Sequence, residues 1–588
     1  MPSRRIAQLR DHILSDSVAT KLAERLHMNT GKSDFFTVYL SISNKKERAR
    51  VYHGSGATVQ AAWENAEKRL IDFQKGRMNK KKPFSAQWAK ADVVTSHELI
   101  PTADLNKIVV KHRWHNFSRI GISFDERFVN SFIEAEVNGN KMLKYTYSQA
   151  EINKNQIDYD SILINLENIN HYRKLYYAQP PISEIPENIT VFTTHSFFCG
   201  EDDIVHELYS DNMDFGRRRI DLVDNNVINE AIVNASEYLV KMINDDGRFI
   251  YGYFPIFGAE IASYNILRHT STIWSIINLF RISGNKAIIP KLDKAIEYML
   301  GYIDHRDDET AFLIEKDADE YKLGANGLAI IMLTEYMDVF ELDKYIDIIS
   351  KLANGILSLQ NPKTGTYYHV LSFPDYSEKE EFRTVYYDGE ATFALARAYS
   401  YTKNERFLDG ARAAIENFIR ENYIKHRDHW VAYALQEITK HVKDVRYYEF
   451  ALQNIDKNLK GIYRRETSYH TYLEMLMTGW QTYRRAIEEE IDSAYIENYD
   501  PTYFAQTIYH RARHMLNGYF YPEYAMYMKK PDTVVGSFHV RHHNYRVRID
   551  DIQHFIGGYY FYCVFYDEIR EYLDDEFLSG QNNSQAIA

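Results

Sequence analysis

Cysteine is nearly missing from this chain: Cys199 and Cys563 are the only two in 588 residues. Neither a disulfide framework nor a cysteine-based zinc site is therefore available. Long apolar runs are missing as well. No stretch reaches the roughly 18 uncharged apolar residues that a membrane-spanning helix needs, so no span is expected. The opening segment MPSRRIAQLRDHILSD threads Arg, Asp and His through the place where a secretory leader keeps its apolar core, and no small-residue cleavage site follows. A cytoplasmic protein is the expectation. Excess positive charge is lacking too. A net charge of −12 opposes a surface built to neutralise phosphates, so no nucleic-acid partner is expected, and the one dense basic run, KGRMNKKK at 75–82, reads as a solvated linker. There is no Walker-type glycine loop, no GxGxxG after a strand, no GxSxG elbow and no DxDD or DDxxD, which argues against nucleotide-dependent catalysis, serine hydrolysis and terpene cyclisation.

What is present is globular: 45% hydrophobic and 26% charged residues. The length exceeds what one compact core usually serves, which sets the expectation at two folding units. Tyrosine is in excess, 47 against 31 Phe and 6 Trp. Its ring can be buried while its hydroxyl keeps a polar partner, which suits a groove that stacks sugar rings and equally suits a polar-tipped core.

Residues 35–56 read as two Val-, Tyr- and Thr-rich strands around NKKE, broken at Gly54 and Gly56. A helix follows from Thr58 to Phe73 with Val59, Ala62, Trp63, Ala66 and Leu70 on one face. Strands are expected near Val93 and Ile108 and over 120–124, then a helix over 126–143. Together 1–150 form a small α+β domain. Residues 151–225, rich in Asn, Ile and Tyr and without a clear period, read as a connector, and 576–588 as a disordered tail.

Between 226 and 575 the pattern changes to paired helices: 227–243 with 270–282, 288–302 with 323–340, 345–359 with 389–401, 407–423 with 429–441, 447–463 with 469–490, and 502–516 with 551–572. Six pairs recurring at a spacing of roughly 45 to 65 residues are a repeat signature. The long loops lie inside the pairs, and two carry a glycine turn followed by aromatics, NDDGRFIYGY at 244–253 and NPKTGTYYHV at 361–370. These loops resemble those of (α/α)6-toroid carbohydrate-active proteins, among them unsaturated uronyl hydrolases, N-acylglucosamine 2-epimerases and uronyl C5-epimerases. The resemblance spans about 225–575 and implies a closed (α/α)6 toroid whose second helices line the inside, with the site at the starts of those inner helices. Helix N-termini there would offer unpaired N–H groups to a hydroxyl-rich or anionic ligand.

The residues at those starts are polar: Arg268 and His269, Asn326, Tyr387, Asp388 and Glu390, His429 and Trp430, Tyr469 and His470, and Asp550, Asp551 and His554. Acids, histidines and aromatics in one register suit general acid–base chemistry on a sugar. Asp388 and Asp550 could instead be N-caps, Glu390 a first-turn acid serving the helix dipole, and each histidine a packing residue. The segment 536–554 adds His539, His542, His543, Arg546 and Arg548. Its H-x-x-H-H spacing has no HExxH or matched carboxylates beside it, so no metal and no other cofactor is expected. Arg268, Arg546 and Arg548 could line a pocket for an anionic substrate.

The function expected from this reading is a carbohydrate-processing enzyme acting on an oligo- or polysaccharide, one that could be acidic, by hydrolysis, elimination or epimerisation. Hydrolysis would use Asp388 and Asp551 as the carboxylate pair, with His429 and Tyr469 orienting substrate. Epimerisation or elimination would use two of His269, His429, His470 and His554. The alternative is a non-catalytic helical-repeat protein that binds a glycan or a protein.

Overall fold

The computed structural model describes residues 4–30, 35–109, 118–147, 159–210 and 213–582. The chain forms two compact units. One comprises residues 1–221, 253–259 and 517–547, and the other 222–252, 260–516 and 548–588.

The first unit is built on an antiparallel sheet. β1 (Phe36–Ser43) pairs with β2 (Arg50–Gly56) on one side and β3 (Trp88–Pro101) on the other, and the order continues through β8 (Asn188–Cys199), β4 (Gly121–Ser123) and β5 (Ser131–Phe132), with β9 (Val205–Glu207) also on β8. A separate hairpin joins β6 (Leu143–Tyr147) to β7 (Tyr159–Ile164). α3 (Val59–Asn79) buries the expected stripe Val59, Ala62, Trp63, Ala66 and Leu70, and Thr58 caps it by accepting from the Ala61 N–H at 3.0 Å. Gly54 makes the approach possible, because a Cβ there would lie 2.2 Å from the Ala66 nitrogen. With α1 (Arg4–Ile13) and α2 (Asp16–Thr30), this helix encloses a core that includes Ile6, Leu9, Leu22, Val38, Leu40, Ile42, Val93 and Phe197. The sheet's alternate positions are buried polar groups, Ser41, Lys90, Asp92 and Ser196. Residues 517–547 return to cover them: the Tyr527 hydroxyl donates to Ser41 at 2.8 Å, and Arg218 is paired with buried Glu523 at 2.8 Å.

Several N-terminal expectations are corrected. Residues 126–143 are not one helix: the chain turns after Phe124, adds β5, and only α4 (Glu134–Gly139) is helical. Asp125 accepts from the N–H groups of Arg127, Val129 and Asn130, which fixes a turn where helix was expected. Ile108 lies in a helical turn, not a strand, and Lys75–Asn79 is the last turn of α3. Residues 151–225 are not a connector where described, since they supply α5 (Leu166–Tyr177) and the inner strand β8. Val191, Phe192, Phe197 and Phe198 are all buried, so β8 shows no alternation that a period-two search could find. The expected tail begins instead with a helix, Asp575–Asn582, and 583–588 lie outside the described residues.

The second unit is the (α/α)6 toroid. Its outer helices are α6 (Asn225–Lys241), α8 (Ile289–Leu300), α10 (Ile346–Ser358), α12 (Glu405–Arg420), α14 (Val445–Tyr463) and α16 (Thr502–Met515). Its inner helices are α7 (Ile266–Ser283), α9 (Leu323–Phe340), α11 (Tyr386–Thr402), α13 (His429–Ile438), α15 (Thr471–Glu488) and α17 (Ile549–Arg570). Each inner helix packs on the next, and α17 packs back on α7, so the ring closes. The seam is stitched by hydrogen bonds from the Tyr562 hydroxyl to the Val223 carbonyl at 2.8 Å and from the Val223 N–H to the Tyr509 hydroxyl at 3.2 Å.

The two helix sets differ as their positions demand. Outer α8 buries only Leu292, Ala295, Ile296 and Met299, an i, i+3, i+4, i+7 stripe, whereas inner α9 buries every residue from Leu323 to Thr334. Glycines let the inner helices approach closely. A Cβ on Gly389 would lie 2.6 Å from that of Trp430 on α13, and one on Gly558 would lie 2.9 Å from that of Leu473 on α15. At one end of the ring the long loops form a five-stranded antiparallel sheet, from β10 (Ile303–His305) through β11 (Ala311–Glu315), β12 (Glu320–Lys322) and β13 (Val370–Ser372) to β14 (Glu378–Glu380). Among the described residues no helix is long and apolar enough to cross a membrane.

Candidate active site

The ring's axis is layered. On three inner helices, α7, α11 and α13, Trp274, Phe393, Trp430 and Tyr433 pack together with ring centroids 5.3 to 6.5 Å apart. Beside this aromatic floor lie polar side chains from the first two turns of five of the six inner helices.

At the centre is Glu474 of α15, fully buried. Its Oε2 shares a 2.7 Å hydrogen bond with His554 Nδ1 and lies 3.8 Å from His429 Nε2, and Tyr433 donates to Oε1 at 3.3 Å. Gly557 leaves room for it, since a Cβ there would be 2.5 Å from Oε1. The His429 and His554 rings are 5.1 Å apart edge to face, and His470 stacks on His554 at 5.1 Å. Burial pushes the Glu474 carboxyl well above the usual carboxylate range and both imidazoles well below the usual histidine range. The two imidazoles are therefore held in their neutral form.

His470 leads to a second cluster. Its Nε2 is 3.4 Å from Asp551, which Arg548 holds with two hydrogen bonds of 2.9 and 3.1 Å. Arg548 also lies 3.1 Å from Asp550, and Arg268 approaches Asp550 at 3.6 Å. Asp550 is raised by burial and then by the Asp551 charge beside it. Glu390 of α11, 1% exposed, is pushed up to about 8 by burial, with Arg268 opposing the shift. Its Oε2 occupies the space that Gly324 leaves empty, where a Cβ would be 1.9 Å away.

Buried polar atoms without a hydrogen-bond partner gather here: both nitrogens of His429, His470 Nδ1, Glu390 Oε2, Asp428 Oδ2 and Asp550 Oδ1. Each such atom costs about 1–3 kcal/mol, so five residues carrying them around one ring opening mark a place prepared for a ligand.

Several expected residues are placed otherwise. His269 is a packing histidine: Tyr264 bonds its Nδ1 at 2.6 Å and the Ala295 carbonyl of outer helix α8 faces its Nε2 at 2.8 Å, so both nitrogens are used. Asp388 is not an N-cap, because α11 begins at Tyr386. It sits in the first turn and accepts from His369 and the Tyr423 hydroxyl, both at 2.9 Å. Asp550 likewise lies inside the first turn of α17 and does not cap it. The caps are Asn265 for α7 and Asp428 for α13. Asn326 is satisfied on both sides by the Leu313 N–H and by the Ala311 and Leu352 carbonyls.

Tyr387 packs beside His369 at 5.5 Å, Tyr469 bonds Tyr386 at 3.4 Å, and Trp430 belongs to the aromatic floor. His539, His542, His543 and Arg546 belong to the other unit, where His539 packs on Phe520 at 4.2 Å, while Arg268 and Arg548 both belong to the ring.

The residue missed in the sequence is Glu474. Its signal was available, since in HTYLE it follows His470 by four residues and therefore shares that face of the helix. Asp428, immediately before His429, was missed as well. Among the described residues one group has the make-up to hold a metal ion, His429, Glu474 and His554, whose ligand atoms all lie within 4.8 Å of one another. Two histidines and a carboxylate suit a divalent transition metal.

No family model matches the chain, and no curated protein matches it. Solved structures do resemble it in part. A D-mannose isomerase aligns over 59% of this chain and 98% of its own, at 12% identity and a TM-score of 0.44. The cellobiose 2-epimerase of Bacillus thermoamylovorans B4167 aligns over 57% and 99%, at 12% identity and a TM-score of 0.44. An unsaturated glucuronyl hydrolase specific for heparin aligns over 58% and 97%, at 9% identity and a TM-score of 0.41. The toroid described above rests on its own helix packing and closed seam, not on these likenesses.

Proposed function

We propose that the toroid is a carbohydrate-processing enzyme that transfers a proton at the carbon beside the carbonyl of a reducing sugar, an epimerase or isomerase, with His429 and His554 as the transferring pair. The observation that carries this reading is the pair itself: two neutral imidazoles from different inner helices, 5.1 Å apart, with neither nitrogen of His429 engaged in a hydrogen bond.

A neutral imidazole can take the C–H proton, leaving an enediolate. The imidazolium so formed, or its neighbour, returns the proton to the same or the adjacent carbon. Glu474 fixes the His554 ring through Nδ1, which leaves Nε2 for the substrate. Glu390, neutral at pH 7, is a proton donor for the developing enediolate oxygen. Arg268 and Arg548 already face Asp550 and Asp551, so they favour hydroxyl groups over an anionic substrate. Hydrolysis by Asp388 and Asp551 is less well supported, because Asp388 spends both oxygens on His369 and Tyr423 while Asp551 is held by Arg548.

The test is exchange in D2O. Mannose, glucose and cellobiose are incubated with the protein, and incorporation at C2 is read by proton NMR. Deuterium should enter at least one of them, and His429→Gln and His554→Gln should each slow it by about 10² to 10⁴. Release of new reducing ends from an oligosaccharide without exchange would defeat the reading.

The buried triad favours a second reading, a metal centre in which His429, Glu474 and His554 would hold a divalent ion, which would supply Lewis-acid polarisation of a sugar carbonyl. Metal analysis and chelation separate the two. Full exchange activity in metal-free protein excludes the second reading, and loss restored by one added ion supports it.

A further inference from the structure

We propose that the N-terminal unit carries a ligand site of its own, a cavity of about 460 Å³ beside β1 and α5 that takes a small molecule bearing a carboxylate or phosphate. The volume lies within the roughly 300–1,000 Å³ usual for small-molecule sites. All the residues that line it belong to this one unit.

Its walls are aromatic, Tyr52, Phe132 and Tyr177, and they are fixed. Tyr177 takes the Val51 N–H at 3.0 Å and bonds the Tyr172 hydroxyl at 3.1 Å, while Tyr52 packs edge-on against Tyr177 at 6.0 Å. Such walls can cover an apolar or sugar-like body.

The floor supplies the charge. Arg173, 6% exposed, donates to Asn130 at 2.7 Å and to the Pro180 carbonyl at 3.1 and 3.3 Å, and among the described residues no carboxylate lies within ion-pair distance of it. A buried guanidinium held by neutral acceptors alone is uncommon, because an unpaired buried charge is costly. The acid on the same floor does not answer it: burial pushes Glu136 up to about 8, and its oxygens already accept from Tyr172 at 2.8 Å and from the Ile133 N–H at 3.1 Å. At the rim stand a second cation, Arg69, with Asp72, and Val129, which is 60% exposed. An anion on Arg173, with its body between the tyrosines, would complete the site. Arginine's fork suits carboxylate and phosphate alike.

The test is calorimetric titration of the full-length protein with D-glucuronate, with glucose 6-phosphate and with glucose. At least one anion should bind saturably at or below about 1 mM, and glucose should bind at least tenfold more weakly. Which anion binds tells carboxylate from phosphate. Two variants locate the site: Arg173→Gln removes the charge, and Val129→Trp blocks the mouth without touching the polar floor. Each should weaken the anion at least tenfold, whereas His429→Gln in the ring should leave it unchanged. Failure of both anions to bind overturns the proposal, as does binding that survives both N-terminal variants or glucose binding as tightly as the anions. D2O exchange by the ring is read separately, so the two readings can fail independently.

Discussion

Glu390→Gln should make this protein more stable, increasingly so as the pH rises. Glu390 is buried at 1% exposure with one oxygen unpartnered, and burial lifts its carboxyl from an ordinary value of 4.5 to about 8. Between those values the folded protein keeps a proton that the unfolded chain has released. The folded state therefore binds more protons, and stability falls as the pH rises through that window. With about 1.4 kcal/mol per unit, the wild type loses on the order of 4 kcal/mol by pH 8, but only about 1 kcal/mol at pH 5. Glutamine has nearly the same shape and does not ionise, so the variant escapes this loss.

The measurement is calorimetric unfolding of wild type and variant at pH 5 and pH 8, comparing the transition of the ring. The stability gap should widen by about 3 kcal/mol from the lower to the higher pH. A gap that does not change with pH, or a variant less stable at pH 8, would refute the idea that the site holds this acid neutral. The second arm is activity. If the neutral carboxyl donates to a developing oxygen, the stabilised variant should lose about 10² to 10⁴ in exchange rate, the trade expected where a site keeps a destabilising group for its chemistry.

Asp388→Asn should cost about 1–2 kcal/mol, because an amide cannot accept from both His369 and Tyr423; thermal unfolding measures this, and its exchange rate should fall far less than that of His429→Gln. Gly389→Ala puts a Cβ within 2.6 Å of Trp430 and within 2.8 Å of backbone on α13, so it should destabilise by about 1–3 kcal/mol or more, seen as a lower unfolding temperature. Gly324→Ala meets the movable Glu390 carboxylate first and should lower activity more than stability, a contrast that paired melting and exchange measurements would read.

The ring could be read from sequence because its two helix sets write different patterns. A stripe such as Leu292, Ala295, Ile296 and Met299 alternates with a wholly buried stretch such as Leu323 to Thr334, and the alternation repeats six times. The N-terminal unit writes no such pattern. β8 is buried on both faces, and the polar row Ser41, Lys90, Asp92 and Ser196 is covered by Tyr527 and its neighbours, hundreds of residues downstream, so no local window could show why polar residues sit inside a sheet.

The candidate site divides the same way. Which residues stand at the inner-helix starts follows from helix register, which is local, and that part was legible. What each residue can do there depends on its partners, which are not all local. His269 and His429 occupy the same kind of position at the start of an inner helix. His269 meets Tyr264 and the Ala295 carbonyl and is spent, whereas His429 meets Asp428 at 3.6 Å and Glu474 at 3.8 Å with neither nitrogen in a hydrogen bond. Part of the difference is local, since Tyr264 lies only five residues before His269. The rest lies in Gly557, whose missing side chain leaves room for Glu474 beside His429 and His554. Gly557→Ala would therefore crowd Glu474 and disturb His429 and His554 together while leaving His269 untouched, which is the consequence to expect when roles are assigned across the ring and not along the chain.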